Sequence, residues 1–386
     1  MRINSSFAAR KYPGVDHGLS QKSHWIAYFI GMLNDGKPVK GRGAVEQVPN
    51  RFLRTHYGVA HWEGIDEVEE EVQQTKYLVE HPRTIINHVA SPDLSFSWSL
   101  NPYQGCEHGC SYCYARPTHE YWGYSAGLDF ERVIIMKRNA PELFEKALRH
   151  PKWSGEVVMV SGNTDCYQPI ERKEQLTRQI LLVAKRYQQA IGMITKNALI
   201  LRDIDILQEM AKKDLVSVAI SLTTLNEDLR RVLEPRTSTG RNRLRTIETL
   251  SKAGIPVTAM IAPIIPALNE PEVPTLLKAA ADAGARSAGY TILRTNGAVK
   301  EVFRKWVEEH FPDRAAKIVA QASHLHGGKM NDSTWGRRMK GSGAYAENIE
   351  RIIKIMRSRY FAGRTDPDLD TSRFRRPPEA QLDLFI

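Results

Sequence analysis

From about residue 95 onward, short apolar runs alternate with longer segments whose apolar positions recur every three to four residues. Residues 95–100 place Phe96, Trp98 and Leu100 in alternation, the period of a half-buried strand. Val157, Val158, Met159 and Val160 form a continuous apolar run inside 156–161, which predicts a strand covered on both faces. The same reading predicts strands at 192–196, 216–222, 257–263 and 288–293. Helical spacing appears at 141–149, 171–186, 203–213, 226–233, 243–253, 272–283 and 300–310, and again at 345–360. Six strands separated by helices make repeating βα units, and right-handed connections between such units build a parallel sheet. The expected fold class is α/β, with reactive groups at the C-terminal ends of the strands.

Outside this repeat the pattern changes. Residues 1–90 are polar and irregular, with a Gly-rich stretch at 40–44 and an acidic run at 63–71, and read as an N-terminal extension without its own core. Residues 313–370 carry the helix at 345–360 and read as a C-terminal helical extension, and 371–386 read as a flexible Arg- and Pro-rich tail. The 386 residues accommodate one α/β barrel, placed at 91–312, together with these extensions. With 42% hydrophobic and 25% charged residues, disorder and fibrous repeats are excluded for most of the chain. No apolar run approaches the roughly 18–20 residues that span a bilayer. Residues 1–10 lack the apolar stretch of a signal peptide, so a cytoplasmic protein with no membrane contact is expected. The formal charge of +10 suits a polyanionic partner such as nucleic acid, although any soluble basic protein shares it.

Chemistry enters with the cysteines. Of the four in the chain, Cys106, Cys110 and Cys113 fall within eight residues and Cys166 stands apart. Clustered thiols in a cytosolic protein point to metal binding or catalysis rather than to disulfides. Gaps of three and two residues let one loop wrap three thiolates around a single centre, and Gly109 eases the turn by allowing a positive φ. Soft thiolates select zinc or an iron–sulfur centre. A structural zinc site would need a fourth ligand from His108 or Cys166, at a spacing unlike the paired zinc signatures. A ferredoxin-type run would need four cysteines with two-residue first gaps. A 4Fe-4S cluster held by three cysteines, its fourth iron open to a ligand, is the third reading.

The C-x3-C-x2-C spacing, with Tyr112 just before the last cysteine, resembles the signature of radical S-adenosylmethionine (radical SAM) enzymes. The wider stretch from Asn101 through Gly105 and from Cys113 through Arg116 resembles the spore photoproduct lyase-like branch, many of whose members have no assigned substrate. The resemblance implies a partial (β/α)6 TIM-type barrel, with N- and C-terminal extensions here. It implies a 4Fe-4S cluster on Cys106, Cys110 and Cys113 whose open iron chelates SAM. It further implies reductive cleavage to a 5′-deoxyadenosyl radical, with electrons from an external flavodoxin- or ferredoxin-type donor. By the same resemblance Thr164 and Asp165 meet the SAM amino group, Lys196 and Ser221 its carboxylate and ribose, and the Ala262 backbone its adenine. The residue types suit those partners, since an ammonium wants oxygen acceptors and a lysine pairs with a carboxylate. Thr164 and Asp165 would equally cap a helix, Ser221 would serve a strand-end turn, and Lys196 would be at home as a surface charge.

In the lyase, a thiol on the corresponding strand-end segment returns a hydrogen atom to the product, with neighbouring tyrosines as a relay. Cys166 is the candidate donor here, with Tyr112 and Tyr114 as the relay; packing as a small buried residue is its alternative role. The register differs, because Cys166 follows Asp165 whereas the lyase thiol precedes the equivalent aspartate, near Ser161 or Gly162 of this chain. Photoproduct reversal itself is therefore not expected.

Arg230, Arg231, Arg236, Arg241, Arg243 and Arg245 form a basic cluster after the fourth strand, suited to a phosphate backbone or to carboxylate partners on a solvated helix. Arg337–Lys340 and 373–376 are further basic sites. Gln381, Leu382, Leu384 and Phe385 resemble the peptide by which bacterial repair and replication proteins bind the β sliding clamp, after what reads as an exposed, extended linker. The composite expectation is a radical SAM enzyme acting on nucleic acid, in DNA repair or modification. Two alternatives stay open: the same chemistry on RNA, protein or a metabolite, and a non-catalytic iron–sulfur protein recruited to DNA by the clamp.

Overall fold

The structure, a computed structural model, describes residues 39–53 and 74–377. Its ten strands among these residues are β1 (Lys76–Glu80), β2 (Ile86–His88), β3 (Trp98–Leu100), β4 (Tyr103–Gln104), β5 (Val133–Lys137), β6 (Val158–Val160), β7 (Ile191–Thr195), β8 (Val216–Ser221), β9 (Val257–Ile264) and β10 (Ser287–Ile292). The six predicted strands are β3 and β6 through β10. They lie side by side and parallel in chain order, and β2 adds an antiparallel edge beside β3. The principal helices are α1 (Ala140–Arg149), α2 (Leu176–Arg186), α3 (Ile204–Ala211), α4 (Glu227–Leu233), α5 (Gly240–Lys252), α6 (Val273–Asp282), α7 (Val299–His310), α8 (Ala315–His324) and α9 (Ala344–Tyr360). The main core lies between these helices and the sheet, where Val158, Ile191, Val216 and Val257 meet Leu181, Leu207, Leu250 and Leu277. The edges β2 and β10 do not pair, so the barrel is partial and open on one side. Among the described residues no helix is long and apolar enough to cross a membrane.

One predicted helix is broken in the structure and another gains a turn ahead of it, with a side chain capping the new start in each case. The 171–186 segment divides at Gln175, which takes a left-handed φ of 53°. Buried Glu171 then accepts the backbone N–H of Thr177 at 3.0 Å, satisfying a donor in the first turn of α2. Ahead of α3 the chain makes a 3-10 turn over Ala198–Asp203, capped by Asn197, which accepts from the N–H of Leu199 at 3.0 Å.

The described parts of the N-terminal extension, residues 39–53 and 74–90, pack as part of the body. Strand β1 pairs in parallel with β5, and β4 closes a small second sheet on the other edge of β5. Residues 39–53 pack beside the loop between β4 and β5, with Ala44 and Val48 buried against Ala126 and Leu128. The signal for β5 was present in the sequence as four consecutive apolar residues, Val133 to Met136. The acidic run at 63–71 and the clamp-like Gln381, Leu382, Leu384 and Phe385 lie outside the described residues.

The C-terminal segment is fastened under the sheet. Asp366 accepts from Thr258 at 2.9 Å and from Ser287, at the starts of β9 and β10. The N–H of Asp370 then bonds the Asp214 carbonyl at 2.8 Å, and that of Arg375 the Tyr187 carbonyl at 2.9 Å, ahead of β8 and β7. The segment thus crosses the N-terminal ends of the strands one after another. Residues 373–376 are thus anchored to the body rather than free, while Arg375 and Arg376 stay exposed. Arg373 pairs with Asp370 at 2.8 Å, and the Arg376 guanidinium donates to the carbonyls of Leu148, His150 and Trp153. Gly155 makes the crossing possible, because its φ is +82° and a Cβ there would lie 2.5 Å from the Phe374 side chain. Gly155→Ala is expected to cost about 1–3 kcal/mol in urea unfolding, combining backbone strain with overpacking. In a double-mutant cycle, Phe374→Ala should recover part of that cost.

Candidate active site at the strand ends

The three clustered cysteines sit on one loop that leaves the C-terminal end of β3 by way of β4. Cys106 is tied down by its N–H to the Phe130 carbonyl at 2.8 Å, and Ser111 by its N–H to the Leu233 carbonyl at 3.1 Å. Inside the loop, Gly109 donates to Cys106 O at 3.3 Å and Cys113 to Cys110 O at 3.2 Å. Gly109 has the positive φ expected, 65°. Arg116, fully buried, supplies most of the remaining restraint. Its guanidinium donates to the carbonyls of Cys110, Ala126 and Gly127 and pairs with buried Glu131 at 2.5 Å. Glu131 also accepts the N–H groups of Gly43 and Ala44 at 3.0 and 2.7 Å. A Cβ at Gly43 would fall 1.7 Å from the Gly109 carbonyl oxygen, so only glycine permits this approach.

A second loop, after β6, faces the first. Glu107 joins them, accepting from the N–H of Ile170 at 2.9 Å while its own N–H donates to Gln168 at 3.0 Å. Asp165 accepts from the Thr195 hydroxyl and the Lys196 N–H, both at 2.8 Å, and from the Tyr167 N–H at 2.9 Å, with His108 Nδ1 at 3.3 Å. Burial would raise its carboxyl, but His108 and the two backbone donors hold it down to about 2. Thr164 donates its hydroxyl to the Tyr103 carbonyl at 2.7 Å, and its own carbonyl takes the Ser161 hydroxyl at 2.7 Å.

The ends of β7, β8 and β9 complete the mouth around a buried carboxylate. Glu234 accepts from Thr223 at 2.8 Å, from Arg243 at 2.5 Å and from the Tyr112 phenol. Burial pushes Glu234 up, yet Arg243 and Lys196 hold it down to about 2. Arg243 also donates to the Ser221 carbonyl at 3.1 Å, and Thr223 to the Ala262 carbonyl at 3.0 Å. The Lys196 ammonium lies 5.9 Å from the Tyr112 ring centroid. Burial lowers its pKa, but Cys110 and Glu234 bring it to a net rise. Thr164, Asp165, Lys196, Ser221 and Ala262 therefore converge on one end of the sheet, beside the cysteine loop.

The 230–245 basic cluster divides on folding. Arg243 is buried against Glu234, and Arg230 forks onto Glu227 at 2.7–2.9 Å and onto the Glu234 and Thr237 carbonyls. Neither is a phosphate ligand, which corrects that part of the expectation, while Arg231, Arg236, Arg241 and Arg245 remain on the surface. Cys166 is 0% exposed and belongs to the main core, whereas Tyr112 belongs to a separate apolar cluster. Tyr114 is exposed and donates to the Gly162 carbonyl at 2.6 Å. Among the described residues no hydrogen bond or ring contact joins Cys166 to either tyrosine. Three organising residues, Glu131, Glu234 and His108, carry no isolated sequence signal; the adjacency of Glu234 to Pro235 and Arg236 was the nearest hint.

The donor set fits an iron–sulfur centre rather than zinc. His108 is engaged with Asp165 and, through Nε2, with Asn197 at 3.2 Å, and Cys166 is in the core, so neither supplies a fourth ligand. Among the described residues no three His, Cys, Asp or Glu side chains are placed to hold a single metal ion. Burial pushes up all three loop thiols, and Cys106 is raised further by Asp165 and by the other two. Buried thiols that repel one another ionise only against strong local positive charge, which a metal cluster provides.

Two consequences are measurable. Arg116→Met would leave Glu131 buried without its cation and release the loop carbonyls, at an expected cost of about 3–5 kcal/mol in urea unfolding, with less iron retained per chain after anaerobic reconstitution. Asp165, held below its unfolded value near 4, contributes stability that is present above that value and lost as pH falls through about 2. The stability difference between wild type and Asp165→Asn should therefore be full at pH 7 and shrink between roughly pH 4 and 2.

Residues 100–280 match the Radical SAM superfamily. An uncharacterized protein of Mycobacterium tuberculosis (strain H37Rv) is 33% identical over 226 residues, covering 58% of this chain and 66% of its own length. An uncharacterized protein of Methanocaldococcus jannaschii is 33% identical over 174 residues, covering 45% of this chain and 62% of its own. In fold, the chain is similar to spore photoproduct lyase complexed with dinucleoside spore photoproduct, with a TM-score of 0.55 at 17% identity over 74% of this chain and 80% of that one. A mutant of that lyase with bound AdoMet and dinucleoside spore photoproduct gives a TM-score of 0.55 at 18% identity over the same shares. With the cysteine loop at the end of β3 and six parallel strands behind it, residues 100–280 form a radical SAM domain, on a fold similar to that of spore photoproduct lyase.

Proposed function

We propose that this chain is a radical SAM enzyme whose substrate is nucleic acid, DNA ahead of RNA. The observation that carries the reading is the three-cysteine loop, locked by Arg116 at the C-terminal end of an open parallel sheet. Cys106, Cys110 and Cys113 would hold a 4Fe-4S cluster, which when bound and reduced would supply the electron for cleavage of SAM to methionine and a 5′-deoxyadenosyl radical. Lys196, kept charged beside Glu234, offers its ammonium to the SAM carboxylate. Asp165 positions that lysine through the backbone bond to its N–H, and Thr164 beside it is held by the Tyr103 carbonyl and the Ser161 hydroxyl. Ser221 and the Ala262 segment, fixed by Arg243 and Thr223, line the ribose and adenine side. Cys166 is enclosed and serves packing in this reading, so the reaction proceeds without a thiol donor at that position. Nucleic acid as the substrate is supported by the formal charge of +10 and by the dinucleoside ligand of the similar lyase.

Protein reconstituted anaerobically with iron and sulfide, then reduced with dithionite, should convert SAM to 5′-deoxyadenosine. Cys106→Ala, Cys110→Ala and Cys113→Ala should each bring that conversion to background. Stoichiometric zinc without iron in anaerobically purified protein would overturn the assignment. Deuterium transfer into 5′-deoxyadenosine from deuterated DNA or RNA identifies the substrate class; transfer from a peptide or metabolite alone would move it elsewhere.

A further inference from the structure

The open side of the barrel is bridged by a segment that the catalytic reading does not use. Residues 335–341 run from the outer edge of β10, where the N–H of Ile292 bonds the Met339 carbonyl at 3.0 Å, to the turn between β2 and β3. There the N–H of Gly336 bonds Asp93 at 2.7 Å, and Arg338 reaches Asp93 at 2.5 Å and the Ser91 hydroxyl at 2.7 Å. The Arg338 guanidinium also lies 3.8 Å from the ring centroid of Trp335, which is 50% exposed.

Arg294, just past the end of β10, stands beside this bridge. It is half-buried, its Nε is enclosed without a hydrogen-bond partner, and it forms no salt bridge among the described residues. Two residues before it the N–H of Ile292 holds the bridge at Met339, and two residues after it Asn296 reaches the Tyr114 carbonyl, so Arg294 sits in the stretch that joins the two; the charges of Arg338, Tyr114 and Asp93 all act on it. Tyr114 is 48% exposed, directly follows Cys113, and is braced through its carbonyl by Asn296 at 3.3 Å. Two aromatic and two cationic side chains, Tyr114, Arg294, Arg338 and Trp335, therefore belong to the segments that meet between the cysteine loop and the bridge.

The members of this strip differ in what they still lack. Arg338 is neutralised by Asp93, and neighbouring Arg337 by Asp332 at 2.6 Å. Arg294 makes no salt bridge among the described residues: its acidic neighbour, Asp93, is already held by Arg338 and the Gly336 N–H, and a half-buried guanidinium without an anion of its own is costly unless a ligand supplies one. Exposed aromatic faces beside an arginine without its own anion suit a nucleic-acid strand with unpaired bases, since every base has a face to stack and every linkage a charge to meet. The SAM carboxylate is an unsuitable owner for Arg294, because Lys196 at the end of β7 already faces the cysteine loop and Arg294 stands three strands away at the end of β10.

We propose that this strip is the substrate-binding surface, and that it holds a nucleic-acid strand with unpaired bases, Arg294 taking a backbone phosphate and Tyr114 and Trp335 stacking on bases. It rests on the reading of the chain as a nucleic-acid enzyme and says where that substrate lies: along the open side, with one end against the loop that carries Cys113.

The test is fluorescence anisotropy of labelled single-stranded DNA, single-stranded RNA and duplex DNA with full-length, anaerobically reconstituted protein across a salt series. The single strands should bind more tightly than the duplex, and the ratio between DNA and RNA tells the two sources apart. Arg294→Gln should weaken binding by about tenfold and reduce the salt slope by about one contact, whereas Arg294→Lys should keep the slope. Trp335→Ala, an exposed change that leaves folding intact, should weaken binding by about fivefold to a hundredfold with the slope unchanged. Wild-type affinity and slope in both Arg294→Gln and Trp335→Ala would overturn the strip, as would a wild-type protein that binds none of the three probes. Reductive SAM cleavage by the wild type is scored separately, so failure of the radical SAM reading and failure of the strip give different results.

Discussion

The buried pair of Arg116 and Glu131 is the constraint on which the rest of the site depends. Two fully buried charges are tolerable only with near-complete hydrogen bonding, and here each has found it. Arg116 spends its guanidinium on the carbonyls of the cysteine loop and of Ala126 and Gly127. Glu131 spends its carboxylate on Arg116 and on two backbone N–H groups of the N-terminal segment. A single ion pair therefore binds together three stretches that are far apart in sequence. It also explains why the N-terminal segment packs as part of the body: without Gly43 and Ala44, one side of Glu131 would be unsatisfied.

A second buried pair, Glu234 with Arg243, plays the corresponding part on the opposite wall. It draws Tyr112, Thr223 and Lys196 toward one carboxylate, and through Thr223 and Arg243 it fixes the backbone at the ends of β8 and β9. The two arginines that appear in sequence as the centre of a basic patch are thus internal supports of the mouth. Arg231, Arg236, Arg241 and Arg245 still face outward from the same segment, so the patch is thinned rather than removed.

The sequence was legible where periodicity and local chemistry coincide. Strands β6 to β10 fell within two residues of their expected positions, because buried parallel strands are short apolar runs bounded by polar residues. The cysteine loop was legible from spacing alone. What was hidden depends on long-range pairing. β4 is two residues long and carries no period, and β1 is largely exposed, so its placement comes from its partner β5 rather than from its own pattern. Glu131, Glu234 and His108 are ordinary polar residues until the fold buries them against charged partners 15, 9 and 57 residues away. The 230–245 arginines misled for the same reason, since charge density in sequence does not reveal which cations face inward.

The two ends of the sheet show how a short, open barrel is kept in shape without closing. At the N-terminal ends of the strands the segment around Asp366, Asp370 and Arg376 acts as a belt, with backbone and side-chain bonds to one strand start after another. On the open side the bridge through Met339, Gly336 and Arg338 joins β10 to the turn after β2 by a few directed bonds rather than a ladder. A continuous ladder would complete the barrel and bury the space beside the cysteine loop. Joining the edges by one segment keeps the two halves of the sheet in register and leaves an aperture between them. The part of the bridge that lies beside the aperture carries Trp335 and Arg338, so the element that spans the gap also decides what chemistry its rim presents.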